Sequence, residues 1–216
     1  MQLEEINTFY ALGDPDEQRR RREHLRESHI APLTDYVEHL RKTLGYNQEI
    51  PYFDPYDGGI NASLLFLLEA PGPKAISSGF ISRDNPDPTA RNMAQIFSEC
   101  GIPREETISW NIVPWYVGSK GRIRPVNQEE INAGIQALKS LQPLLPNLRV
   151  VVLVGRKAQR AQSAIEIIFQ TKVLTCPHPS QRVLNVWPEK REEIKSVFIQ
   201  AFDMSLGRDK QLWRLA

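Results

Sequence analysis

Three side chains that can do chemistry follow apolar runs in this 216-residue chain: Glu69, Asn111 and His178. A carboxylate can hold water, an amide presents a donor and an acceptor together, and an imidazole N–H can donate to a developing negative charge. Each of these residues comes where an apolar run ends. They are therefore the first candidates for a ligand site or an active site.

The first apolar run, Leu-Leu-Phe-Leu-Leu at residues 64–68, has no polar alternation, which predicts a strand buried on both faces. Ala-Pro-Gly-Pro at residues 70–73 then forces a sharp turn. A buried helical segment is the alternative for this run, but its length and its flanks favour a strand. Further strands are predicted at residues 107–113, 149–154 and 172–175, and helices at residues 89–101, 128–141, 157–168 and 188–204.

This alternation predicts an α/β protein of three layers, α/β/α, with a central four-stranded parallel sheet. The ends of the four strands, at Glu69, Asn111, Gly155 and His178, then lie on one edge, which is where open α/β sheets bind their ligands. Residues 51–216 are expected to form this domain, and residues 1–50 a helical extension at its N-terminal side. In that extension, four arginines at 19–22 are followed by Glu23, Arg26 and Glu27. This mixture of basic and acidic residues favours a solvated helix face over a DNA contact.

Composition narrows the class of protein. The chain is 41% hydrophobic and 25% charged, as expected for one globular domain, and no apolar run is long enough to span a membrane. The first residues lack the order of a signal peptide, so we expect a cytoplasmic monomer. Its two cysteines, Cys100 and Cys176, lie too far apart for a metal motif, and neither a zinc site, an iron–sulfur cluster nor another cofactor is expected.

Charge is distributed unevenly although the chain carries a net charge of only +1. Residues 1–50 contain 7 Lys and Arg against 10 Asp and Glu, whereas residues 51–216 contain 20 against 16. Any basic surface is therefore expected as a local patch on the α/β domain. Scattered surface charge is an equal alternative for each candidate in this patch, namely Lys120, Arg122, Arg124, Arg156, Lys157 and Arg160.

Four motifs, taken in order, resemble those of the uracil-DNA glycosylase superfamily: Glu-Ala-Pro-Gly at 69–72, Phe80 in the following loop, Asn-Ile-Val-Pro at 111–114 and His-Pro-Ser at 178–180. The resemblance spans roughly residues 63–187. Glu-Ala-Pro-Gly and Trp-Asn-Ile-Val-Pro look most like the iron–sulfur glycosylases of thermophiles. The four cysteines of those enzymes are missing here, so the resemblance implies a relative without the cluster.

The resemblance implies a monofunctional DNA glycosylase that flips uracil or a related deaminated base out of DNA and hydrolyses its N-glycosidic bond. In that scheme Phe80 stacks on the base, Asn111 reads its edge, and His178 stabilises the charge on the departing base. Each residue also has a plainer interpretation: Phe80 pins a long loop, Asn111 bonds its own backbone, and His178 shapes a rigid turn.

The motif after the last strand implies contacts with DNA, either single-stranded or as a mismatched duplex. Ser180 corresponds to a residue that bonds a phosphate. Arg182 falls where relatives carry an intercalating wedge, and Gln181 is adjacent to it.

The first motif departs from the family pattern at two positions that face the base. Ala70 stands where efficient members carry a water-activating aspartate. Either Glu69 or backbone carbonyls position the water, or hydrolysis proceeds by bond dissociation with little help from a base. Gly72 stands where some relatives exclude thymine with a tyrosine, which leaves room for larger bases.

Two other functions remain open. Ala70 is compatible with a relative that binds damaged DNA without turnover. The turn Gly155-Arg156-Lys157, before a predicted helix, is compatible with a nucleotide- or phosphate-binding enzyme, although no complete phosphate-loop fingerprint accompanies it.

Overall fold

The computed structural model describes residues 9–45, 49–119 and 122–208. Its main sheet is parallel throughout, with the strand order β4-β2-β7-β8. All four predicted strands are confirmed. In chain order, the strands are β1 Tyr52–Phe53, β2 Leu64–Leu68, β3 Phe80–Ile81, β4 Thr107–Asn111, β5 Gly118–Ser119, β6 Arg122–Ile123, β7 Val150–Val154 and β8 Lys172–Cys176.

Strand β2 lies inside the sheet and is buried on both faces, as its apolar run predicts. Leu65 and Leu67 belong to one hydrophobic core. Leu64 and Phe66 belong to a second core on the other face. Because successive side chains of a strand point to opposite faces, the whole run must be apolar.

Helices cover both faces of this sheet, which confirms the three-layer α/β/α architecture. Helices α2, α5 and α6 contribute to one core, and α4 and α8 to the other. No helix in the described ranges is both long and apolar enough to cross a membrane. In chain order, the helices are α1 Pro15–Glu23, α2 Ala31–Leu44, α3 Pro73–Ser78, α4 Pro88–Glu99, α5 Gln128–Leu141, α6 Gln162–Phe169, α7 Gln181–Val186 and α8 Glu189–Ser205.

The structure departs from the predicted elements in three places. The segment after β2 is not a continuous loop, because it contains α3 and the short strand β3, which pairs with β1. Helix α7 was not predicted. Helix α4 begins at Pro88, one residue before its predicted start, and is capped by Asp87, since an aspartate followed by proline at the first helical position is a complete start signal.

The arginine run of α1 is solvated only in part. Arg19 and Arg20 are exposed as expected, but Arg21 is 2% exposed, so the prediction of a solvated face is wrong for this residue. Its guanidinium bonds Asp54, donates to Asp84 over 2.5 Å, and lies 4.1 Å from the centre of the Tyr56 ring. Burial alone would lower the pKa of Arg21, but these two carboxylates raise it above its ordinary value.

Arg104 completes this buried ionic cluster from the opposite side. It donates to Asp54 over 2.6 Å, to Asp84 over 2.8 Å and to Asp57 over 2.9 Å. Asp84 belongs to the connection between β3 and α4. Buried ion pairs therefore hold this connection both to the N-terminal extension and to the segment before β4.

Candidate functional site

A cavity of about 480 Å³ opens where the strands of the main sheet end, which is large enough for a small ligand. Four parts of the chain contribute to it: the segment after β2, the connection from β3 to α4, the end of β4 and the turn after β8. Of the nine site residues predicted from sequence, five line it: Glu69, Ala70, Gly72, Asn111 and His178.

Asn111 ends β4 and is 3% exposed. Its side chain has no hydrogen-bond partner among the residues that the structure describes, so the alternative of an amide bonded to its own backbone is not seen. Ser109 lies on the same face of β4 and lines the same cavity. A buried amide without a protein partner leaves a donor and an acceptor for a ligand.

His178 lies between two prolines directly after β8 and faces the cavity. Burial lowers the pKa of the imidazole, and the negative charge of Glu69 opposes that shift only in part. The ring is therefore neutral at pH 7, with one nitrogen able to donate and the other able to accept. Asn92 of α4 donates to the carbonyl oxygen of Pro179 over 2.8 Å, which ties the His178 turn to α4.

Glu69 is engaged in an ion pair at the cavity wall. Its Oε1 accepts from the Nζ of Lys157 over 2.9 Å and lies 3.5 Å from the backbone nitrogen of Val126. This lysine belongs to the turn after β7. The lysine therefore occupies one of the two carboxylate oxygens of Glu69.

The structure corrects the prediction for Phe80. Its ring is fully buried in a cluster with Leu12 and Leu25 and does not line the cavity. Phe80 thus pins its segment against the N-terminal extension, as in the plainer interpretation. None of the described residues that line the cavity is a phenylalanine, tyrosine or tryptophan.

Ser180, Gln181 and Arg182 lie beside the cavity rather than in it. The Ser180 hydroxyl accepts from the backbone nitrogen of Val183 over 3.3 Å and so caps α7. Gln181 donates to Asn185 over 2.8 Å, and Arg182 is exposed. A role in DNA contact remains a prediction for these three residues.

The connection between β3 and α4 supplies polar cavity residues that the sequence analysis did not single out. Ser82, Arg83, Asn85 and Asp87 all line the cavity. Their only signal in the sequence was membership of a long polar segment, of a kind that is usually functional. Burial lowers the pKa of Arg83, whose guanidinium lies 4.0 Å from the centre of the Phe97 ring.

Several exposed cations lie in the segments that follow the strands of the main sheet, and one of them, Lys74, lines the cavity. Five of them have no ion-pair partner within the described part of the chain: Lys74, Arg91, Arg156, Arg160 and Arg182. Lys157 and Arg124 are instead paired with Glu69 and Glu130. Of the other predicted patch residues, Lys120 lies outside the described residues, and Arg122 is described only by its backbone in β6.

An open parallel sheet with a cavity at the carboxyl ends of its strands is the arrangement in which α/β proteins bind their ligands. A family model described as the Uracil DNA glycosylase superfamily matches residues 55–203. The chain belongs to this superfamily, as the resemblance of its motifs predicted.

The solved structures that resemble this fold are distant in sequence. SMUG2 from Pedobacter heparinus is 12% identical, with 83% of this chain and 85% of that chain covered and a TM-score of 0.51. This likeness supports the fold alone. A candidate uracil DNA glycosylase from Methanosarcina acetivorans is 14% identical, with 66% and 92% covered and a TM-score of 0.46, too low to carry an argument. A comparison with curated protein sequences finds no match.

Proposed function

We propose that this protein is a monofunctional DNA glycosylase that hydrolyses the N-glycosidic bond of uracil, or of a related deaminated base, and leaves an abasic site. The observation that carries the proposal is the buried Asn111 amide, which faces the cavity without a protein partner. Membership of the superfamily supports the reaction class. A base inside a duplex must be flipped out to reach such a cavity, at a cost of a few kcal/mol.

Asn111 would read the base through its edge. Its amide N–H₂ can donate to O4 of uracil while its carbonyl oxygen accepts from N3–H. Cytosine presents the opposite pattern at these positions, so one fixed amide separates the two bases. Apart from the His178 imidazole, the side chains around the base would be aliphatic or polar, because the described lining contains no phenylalanine, tyrosine or tryptophan.

His178 would stabilise the departing base. Cleavage leaves negative charge on the base, chiefly at O2, and a neutral imidazole N–H can donate to that oxygen as the charge develops. The lowered pKa of His178 supports this role. A neutral imidazole already carries one N–H, so at pH 7 it can donate this hydrogen bond without first taking a proton from solvent.

The unpaired cations at the cavity edge would contact the phosphates, with the backbone and side chains of Ser180, Gln181 and Arg182 close by. We expect a monomer that acts on single-stranded DNA or mismatched duplexes, where extrusion of a base costs least. A second candidate is a relative that binds damaged DNA without turnover, which Ala70 and the ion-paired Glu69 favour.

End-labelled oligonucleotides test the proposal. Each contains one uracil, hypoxanthine or xanthine, is presented single-stranded or in a mismatched duplex, and is treated with alkali after incubation. We expect strand breaks at the modified base and none in the matched unmodified strand. Salt-dependent binding of every modified strand without any break would support the second candidate instead.

Gly155→Ala is expected to lower base release by about 100-fold, since small displacements of a catalytic group have effects of that size. Gly155 has φ +88°, and a Cβ there would lie 2.9 Å from the Cβ of His178. The added methyl would push the imidazole out of place. Rates under single-turnover conditions measure the effect.

Gly101→Ala is the matched control for this variant. Gly101 has φ +62°, so its backbone penalty is similar, but no atom lies within 4 Å of the added Cβ. Base release by this control should stay within a few-fold of wild type. Equal losses in both variants would show that backbone strain, and not displacement of His178, is responsible.

A further inference from the structure

Asp87 lines the cavity and has one carboxylate oxygen that no described residue engages. Its Oδ1 accepts from the backbone nitrogens of Thr89 and Ala90 over 2.9 and 3.0 Å, which caps α4. Its Oδ2 has no hydrogen-bond partner in the described part of the chain. Pro86 and Pro88 limit the backbone conformations open to Asp87, so the position of this oxygen is restricted.

The capping contact alone would be an ordinary helix start, but two further contacts place it in the site. The unpartnered, buried Asn111 amide lines the same cavity. Asn92, about 7 Å further along α4 by helical rise, is bonded to the residue after His178. The first turn of α4 and the turn that contains His178 are therefore adjoining parts of the lining of one cavity.

The other carboxylate in the cavity is already engaged by a protein group. Oε1 of Glu69 accepts from the Nζ of Lys157 over 2.9 Å, so an attacking water would compete with the lysine for that oxygen. Asp87 has no ion pair within the described part of the chain. The charge of Lys74 acts on Asp87, and Glu69 and His178 line the same cavity.

We propose that Asp87, and not Glu69, is the catalytic carboxylate that holds and deprotonates the attacking water, an inference that rests on the proposed base release. The water oxygen forms a bond to C1′ of the sugar while the bond from C1′ to the base nitrogen breaks. The electron pair of the broken bond leaves with the base, where His178 donates to O2. The water proton passes to Oδ2 of Asp87 and then to the departed base through solvent.

Burial of Asp87 agrees with this role. It raises the pKa of the carboxyl, although the Thr89 and Ala90 N–H groups and the charge of Lys74 oppose the shift. A carboxylate with a raised pKa is a stronger base at neutral pH. Because the group acts when ionised, base release should fall as pH drops through this pKa.

Asp87→Asn separates catalysis from capping, because asparagine caps helices as well as aspartate does. Under single-turnover conditions, the variant should release base at least about 100-fold more slowly than wild type and lose the acidic limb of its pH profile. Its affinity for the modified oligonucleotide and its urea midpoint should stay near those of wild type. Asp87→Ser, which also keeps a capping side chain, should behave in the same way.

Glu69→Gln is the comparison that identifies the base. It should lose less than about 10-fold in rate and keep the acidic limb, since its carboxylate takes no proton in the proposed step. If wild type releases base and Asp87→Asn releases it as fast, the role of Asp87 is overturned and the proposed function stands. If wild type releases no modified base from any oligonucleotide, the proposed function fails and the role of Asp87 fails with it.

Discussion

Asn111→Asp is expected to lower uracil release at pH 8 by about 100-fold or more. A site that hydrogen-bonds one edge of a base discriminates strongly against a base with which one of those hydrogen bonds cannot form. An ionised carboxylate can accept from N3–H but cannot donate to O4 of uracil. It can accept from the exocyclic amine of cytosine, so relative preference should shift toward cytosine. Single-turnover rates on uracil- and cytosine-containing strands measure both effects.

The activity of this variant should also depend on pH. Burial of a carboxyl raises its pKa, and the neighbouring Glu69 carboxylate raises it further. The protonated acid regains a donor for O4, so uracil release should recover as pH falls and decline as pH rises. The amide of the wild-type residue does not titrate in this range.

Asn132→Asp adds the same charge at an exposed position of α5 and serves as the control. Its side-chain oxygen accepts from Gln128 over 3.1 Å, which aspartate can do equally well. The control should keep the rate and base preference of wild type. Full uracil release by Asn111→Asp at pH 8 would show that Asn111 does not read the base.

Arg21→Met is expected to lower the free energy of unfolding by about 3–5 kcal/mol, the usual cost of breaking a buried ion pair on one side. Methionine fills similar space but leaves the carboxylates of Asp54 and Asp84 with Arg104 alone. Urea denaturation followed by circular dichroism measures the loss. Because the cluster holds the connection that carries Arg83 and Asp87, base release by the folded fraction should fall as well.

Arg20→Met is the matched control one residue earlier in α1. Arg20 is 54% exposed and pairs with Glu17 of the same helix over 2.9 Å. Exposed pairs of this kind contribute little to stability because solvent and salt screen them, so the unfolding free energy of the variant should change little. Similar losses in the two variants would contradict the importance of the buried cluster.

The gross fold and the convergence of the site followed from the sequence alone. A strand buried on both faces must be apolar throughout, and few other elements produce that pattern. Once the strands are parallel, their carboxyl ends share an edge, so Glu69, Asn111 and His178 had to lie near one another. The ordered motifs then indicated the superfamily.

The tertiary structure decided which of these groups are free to act. Phe80 was expected to stack on a base, but its ring is buried by Leu12 and Leu25. Glu69 was the obvious water-binding carboxylate until Lys157, 88 positions later, was found bonded to it. Asp87 followed by Pro88 can be read from the sequence as a helix start, but no local pattern shows that its second carboxylate oxygen is left without a partner in the described part of the chain.

The arginine run illustrates the physical reason. Local sequence places Arg20 and Arg21 in the same solvated helix, and their intrinsic preferences are identical. Only the fold brings Asp54 and Asp84, 33 and 63 positions away, around one of them. Burial of a charge depends on such distant partners, whereas burial of an apolar strand can be predicted from its own residues.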